Sequence, residues 1–145
     1  MEERKPPDLM HSAAIHLLRR VARVDDESGI GPARLSALSV LVNRGALTLS
    51  ELADAERVTA PTMTRVVDGL ERDSLARRER HPEDGRSVRV VVTARGHRLF
   101  QHARQRRLDV LDELFAGASP TELGTLARAA AIVERALSGR GPGPK

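Results

Sequence analysis

Apolar residues recur along most of this chain at intervals of three and four, the mark of helices that each bury one face. From Leu9 to Val24 the stripe runs through Ile15, Leu18, Val21 and Ala22, and the stretch DDESGIGP ends it. A second helix is predicted over residues 33–45, with Leu35, Leu38, Leu41 and Val42 inward and Gly45 as its C-terminal cap. LTLSELADAERV opens with Thr48 three residues before Glu51, a capping box in which hydroxyl and carboxylate satisfy free amides reciprocally, and a short third helix follows. Thr59 caps a fourth over 59–75, where Pro61 is tolerated because first-turn amides have no intrahelical acceptor.

The helical period then breaks. In RRERHPEDGRSVRVVVT, residues 77–93, an Arg-rich arm and a Val-alternating arm flank a Pro/Asp/Gly tip, which predicts a β-hairpin. His81 and Pro82 end the first strand, Asp84 and Gly85 make the reversal, and the Asp84 carboxylate is expected to hold Arg86 near the tip. Thr93 caps a long fifth helix to about Ala116, with Leu99, Ala103, Leu108, Leu111, Leu114 and Phe115 on its apolar side. Ser119, Pro120 and Glu122 then start a sixth, whose stripe is Leu123, Leu126, Ala127, Ala130, Val133 and Leu137. Residues 1–8 and 139–145 are expected to be flexible tails.

The fold class that emerges is mainly α with one small β-hairpin: a winged helix-turn-helix lobe over 33–93, with helices over 9–24 and 94–138 packing together outside it. Those terminal stripes exceed what a small middle lobe can cover, so a second copy of the chain is expected to cover the rest, making a homodimer.

On a helical wheel, Met63, Val66, Val67 and Leu70 share one sector and must face the preceding helices. Pro61, Arg65, Asp68 and Arg72 lie opposite, flanked by Thr62, Thr64 and Gly69. Short hydroxyl side chains followed by Arg suit entry into a major groove, where amides at the helix N-terminus meet phosphate and Arg reaches guanine O6 and N7. Asp68, Glu71 and Asp73 have the wrong sign for phosphate, and must point elsewhere or pair with Arg. The hairpin is then a wing along the duplex. Arg86 suits a narrow minor groove, being planar and weakly hydrated, while Arg78, Arg80 and Arg89 would meet phosphates.

Composition agrees and trims the alternatives. The 145 residues carry a formal net charge of +4, with 22 of the 24 basic residues Arg. With no Cys, disulfides, thiolate zinc sites and thiol redox sensing are excluded. The two aromatics, Phe100 and Phe115, make single-strand base-stacking platforms improbable. Without a leader-like N-terminus or a membrane-length apolar run, the expected location is the cytoplasm. No Gly-x-Ser-x-Gly elbow or Gly-rich phosphate loop is present, and no enzyme activity or cofactor is expected. The histidine pairs His11/His16 and His97/His102 stand five apart, about 140° around a helix, which disfavours chelation within a pair.

The run from Leu47 to Gly96 resembles the MarR family of bacterial transcription regulators. It has a Glu-Leu-Ala helix, a Thr-rich recognition helix containing Thr64-Arg65, an Asp-x-Arg wing at Asp84-Gly85-Arg86, and a junction at Val92-Thr93-Ala94-Arg95-Gly96. The resemblance implies a dimer of interlocked terminal helices on a pseudo-palindromic double-stranded DNA site, acting as a repressor relieved by a small-molecule effector. By position, Thr59, Pro61, Thr62, Thr64 and Arg65 would approach the major groove, with Arg72 beyond them, and Arg86, oriented by Asp84, the minor groove. Two departures stand out. Ser74 occupies the left-handed turn where the family usually has Gly, a cost on the order of 1 kcal/mol; and the scarcity of aromatic rings leaves a phenolic ligand little to stack on. The alternative is a winged-helix module for protein contacts without DNA.

Overall fold

A computed structural model describes residues 4–139. The order of elements is α1 (Pro6–Asp26), α2 (Pro32–Arg44), β1 (Leu47–Thr48), α3 (Leu49–Glu56), α4 (Ala60–Arg72), β2 (Ala76–Arg80), β3 (Val88–Val92), α5 (Ala94–Leu114) and α6 (Pro120–Leu137). The helix starts follow the local chemistry that forecasts them. At α3 the Thr48 hydroxyl accepts from the Glu51 amide at 3.2 Å while the Glu51 carboxylate accepts from the Thr48 amide at 2.8 Å. Ser119 and Glu122 repeat the arrangement at α6. In both boxes the amide hydrogen bond holds the glutamate below the usual carboxylate range, since it is made to the charged form.

Two expectations are corrected. Residues 6–8 are helical rather than part of a tail, because Pro6 and Pro7 sit where α1 has no amide to lose; the rest of the two predicted tails, apart from residues 4, 5 and 139, lies outside the described residues. The hairpin is joined by a third strand, giving the antiparallel order β1-β3-β2, with Leu47 opposite Val90 and Thr48 opposite Arg89. Two residues show no period, so nothing in the sequence separates this strand from the lead-in to α3.

The chain divides into two compact units, residues 1–108 and 109–145. Among the described residues the buried core lies wholly in the first: Leu35, Leu38 and Leu41 of α2, Leu52 of α3, Met63, Val67 and Leu70 of α4, and Leu75 and Val90 of the sheet region. Phe100 and Ala103 of α5 complete it. Phe100 is one residue out of register with the stripe read from sequence, which runs through the half-buried Leu99. Neither α1 nor α6 contains a fully buried residue. Leu123, Leu126 and Leu137 of the predicted α6 stripe are exposed, as are Leu9, Met10 and Leu18 of α1.

Candidate nucleic-acid interface

The fourth helix is held at both ends. Thr59 caps it, its hydroxyl accepting from the Thr62 amide at 3.4 Å and donating to the Thr62 hydroxyl at 2.9 Å. Thr64 donates its hydroxyl to the Ala60 carbonyl at 3.0 Å, so this side chain already has a donor engaged within the helix. At the far end Ser74 adopts a left-handed φ of 59°. Its amide donates to the Glu71 carbonyl and that of Leu75 to the Leu70 carbonyl, a pattern that ends a helix by reversing the backbone at one residue. The left-handed turn, where the resemblance leads to an expectation of glycine, is made here by a serine. It is pinned from the following element: the Thr93 hydroxyl donates to the Ser74 carbonyl at 2.7 Å, and the Thr93 amide to the Leu75 carbonyl at 3.0 Å.

Between these ends, Met63, Val67 and Leu70 are buried and Val66 half-buried, while Pro61, Thr62, Thr64, Arg65, Asp68 and Arg72 are exposed, which is the division the wheel predicts. Gly69 is the exception. It is buried beneath Arg34, where a Cβ would stand 2.9 Å from the Arg34 Cδ, so this position belongs to the inner packing rather than the outer face.

All three carboxylates of the wrong sign are neutralised by arginine. Arg78 donates to Asp68 at 2.9 Å and to Glu71 at 2.7 Å, and its backbone amide adds a bond to Glu71 at 2.8 Å. Arg34 takes Asp73 at 2.6 Å. Burial alone would lower the Arg78 pKa, but the bonds to Asp68 and Glu71 outweigh it and the net shift is upward. Asp68 lies on the outer face of α4 and Arg78 on β2, so the first wing strand runs beside that face. Arg65 and Arg72, three before and four after Asp68, form no ion pair among the described residues.

On the wing, Arg89 stands opposite Glu79 in the strand register and donates to it through Nε at 2.9 Å and Nη2 at 2.6 Å; Arg77 donates to the same carboxylate at 3.1 Å. The hydrogen bond from Arg89 is the main reason that Glu79 is held below its ordinary pKa. Arg78 and Arg89, expected from sequence to meet phosphates, are thus engaged within the chain, and the carboxylates that engage them were the available signal. Arg80 and Arg86 are exposed and form no ion pair among the described residues. Asp84 does hold Arg86 near the tip, through the backbone rather than the guanidinium. Its carboxylate accepts from the Arg86 backbone amide at 3.1 Å, shaping the loop and leaving the cation unengaged. The reversal is also wider than the Asp-Gly pair suggests: the His81 amide closes on the Ser87 carbonyl at 2.8 Å, the Ser87 amide on the Asp84 carbonyl at 3.0 Å, and His81 Nδ1 accepts from the Glu83 amide at 3.2 Å.

A helix that presents small hydroxyls and unengaged arginines, capped by a left-handed turn and flanked by a charged wing, defines a winged helix-turn-helix regulator. The sequence profile of the MarR family matches residues 30–88. An uncharacterised HTH-type transcriptional regulator of Mycobacterium leprae is 41% identical over 101 residues, covering 70% of this chain and 71% of its own length. Another, from Mycobacterium bovis, is 38% identical over 121 residues, covering 83% and 85%. The solved structure of a MarR family protein from Bacillus stearothermophilus superposes with a TM-score of 0.81 at 25% identity, over 90% of this chain and 91% of that one. The chain belongs to the MarR family, whose members are transcriptional regulators and not enzymes.

Proposed function

We propose that the chain is a cytoplasmic, homodimeric repressor that binds a pseudo-palindromic site on double-stranded DNA and is released by a small-molecule effector. The observation that carries this reading is the sorting of charge on α4 and the wing. Every carboxylate of α4 that would repel phosphate is tied to an arginine, and Arg65, Arg72, Arg80 and Arg86 stand exposed and without an ion pair among the described residues. Thr59, Pro61, Thr62, Thr64 and Arg65 approach the major groove, Arg72 and Arg80 the backbone, and Arg86 the minor groove; Arg78, Asp84 and Arg89 shape the surface that presents them.

Homodimerisation is supported by two helices, of 21 and 18 residues, that bury no residue fully. Helices of this kind draw most of their stability from packing an apolar face. Repression follows from occupancy, since a protein across two half-sites excludes other proteins from that DNA. The effector must bind better to the dimer shape that fits the operator poorly. A cavity of about 330 Å³ lined by Asp25, Pro32, Leu35, Ser36, Ser39 and Arg107 is a candidate seat, and Arg107 is tied there to Asp25 at 3.1 Å. It has no aromatic lining, which favours a polar ligand over a stacked phenol.

Binding to the DNA upstream of its own coding region, measured across salt, tests the reading. A dimer that neutralises roughly 6–10 phosphates loses about 10³–10⁵ in affinity between about 50 and about 200 mM salt. Arg86→Ala is expected to weaken binding by about 1–3 kcal/mol with unchanged circular dichroism. Weak, site-independent binding would instead support a protein-contact module.

A further inference from the structure

Gly69 has no backbone reason to be glycine. It lies inside α4 with ordinary helical geometry, and apart from proline no residue suits a helix interior less. What it supplies is space. A Cβ there would stand 2.9 Å from Arg34 Cδ, 3.4 Å from Nη1 and 3.6 Å from Nε, so the arm of this α2 arginine lies directly against the α4 backbone. One turn further along, the same guanidinium donates to the Asp73 carboxylate at 2.6 Å.

Asp73 is the residue at which α4 ends, where the helix dipole disfavours a carboxylate. Its side chain is held from α2 by Arg34 and its carbonyl from α5, by Arg95 Nε at 3.2 Å. The ion pair itself adds little stability, because its two side chains are 30% and 46% exposed. Its contribution is geometric. At about 100° per residue, Gly69 and Asp73 lie on one flank of the exposed Arg65/Arg72 edge, and Asp68 and Glu71, which Arg78 grips from β2, lie on the other. The buried Met63, Val67 and Leu70 hold α4 to the core, but apolar burial is non-directional. The two arginines bracket the helix and fix its rotation about its own axis.

We propose that Arg34 is a positioning residue for DNA binding: lying in the notch left by Gly69 and tied to Asp73, it sets the rotation of α4 and with it the direction in which Arg65 and Arg72 leave the surface. This rests on the DNA-binding reading above and adds to it a residue that acts through α4. Pairing to a base edge depends on that direction, whereas attraction to phosphate does not. Loss of the Arg34 contact therefore removes preference for a site before it removes affinity for DNA in general.

The test measures affinity for the duplex upstream of the coding region and for an unrelated one, from about 50 to about 200 mM salt, beside the thermal midpoint. Gly69→Ala fills the notch with one methyl group and displaces only the flexible end of Arg34, while alanine favours the helix, so the midpoint should hold or rise. Affinity for the preferred duplex should nevertheless fall at least about tenfold, with affinity for unrelated DNA and the salt slope unchanged. Arg34→Ala should show the same loss, and the two changes together no more than either alone, because both remove one contact. If Arg34→Ala fails to fold, Asp73→Asn takes its place: loss of a negative charge would tighten DNA binding on charge alone, and the positioning role requires it to loosen. Gly69→Ala binding the preferred duplex as well as the unaltered chain does would overturn the proposal. So would losses that track a falling midpoint, the mark of a merely structural contact, or a salt slope reduced by about 1 in Arg34→Ala, which would make Arg34 a phosphate contact. An unaltered chain with no preferred duplex would overturn the DNA-binding reading itself, and this one with it.

Discussion

At the scale of single residues, two backbone positions decide whether the recognition helix can hand over to the wing. Gly96 in the first turn of α5 lies so close to the preceding chain reversal that a Cβ there would stand 2.0 Å from the Leu75 carbonyl oxygen. That oxygen also accepts the Thr93 amide, so it cannot retreat without breaking the junction. Gly96→Ala is therefore expected to cost about 3 kcal/mol or more, read as a lowered midpoint in denaturant; a change under about 1 kcal/mol would show that the junction is looser than its hydrogen bonds imply. Ser74 is the opposite case, a side chain where glycine would serve better. Its φ of 59° is paid in strain, and among the described residues its side chain makes no hydrogen bond that glycine would lose. Ser74→Gly should raise stability by up to about 1 kcal/mol, less whatever the freer unfolded chain takes back. A drop in thermal midpoint would mean that the turn gains something from the serine that its contacts do not reveal.

At the scale of elements, the recognition helix and first wing strand are coupled through one side chain. Arg78 spans from β2 to Asp68 and Glu71 of α4 with one guanidinium hydrogen bond to each, and its backbone amide adds another to Glu71. Removal of the side chain strips Asp68 of its arginine partner and leaves Glu71 with the backbone bond alone. Arg78→Ala is expected to lower stability by about 1–3 kcal/mol and to weaken DNA binding, yet leave the slope of log affinity against log salt nearly unchanged, because no phosphate contact is lost. Arg65→Ala should do the reverse, leaving the thermal midpoint alone and reducing the slope by about 1. Equal slopes in the two variants would return Arg78 to the role its sequence position suggests. The contrast shows what was legible beforehand. Helix starts are written in side chains three residues apart, as in Thr48–Glu51 and Ser119–Glu122, so a local pattern suffices to find them. The wheel of α4 likewise separates Met63 and Val67 from Arg65. What a wheel cannot supply is the partner: Gly69 beneath Arg34, Arg89 across from Glu79 and the pairing of Leu47 with Val90 each depend on a residue distant in the chain.

At the scale of the whole molecule, acid tests how far three hydrogen-bonded carboxylates contribute together. Glu51 and Glu122 are held low chiefly by the capping amides of Thr48 and Ser119, and Glu79 chiefly by its bond from Arg89. For each, the folded pKa lies below the unfolded value near 4.3, so the stabilisation is complete above that value and is lost as pH falls through the folded pKa. The thermal midpoint should accordingly not vary with pH on account of these groups between about pH 5.5 and about pH 7, where their contribution is fully present, and should decline below about pH 4.3, where the unfolded chain takes up protons first. The two helix boxes can be separated from the wing by Glu51→Gln and Glu122→Gln together. Glutamine still reaches the capping amide but does not titrate, so the double variant should stay folded at neutral pH and lose midpoint less steeply in acid. An acid limb as steep as that of the unaltered chain would assign the pH dependence to Glu79 and the remaining carboxylates, and would mean that charge at the two caps adds little to the hydrogen bonds themselves.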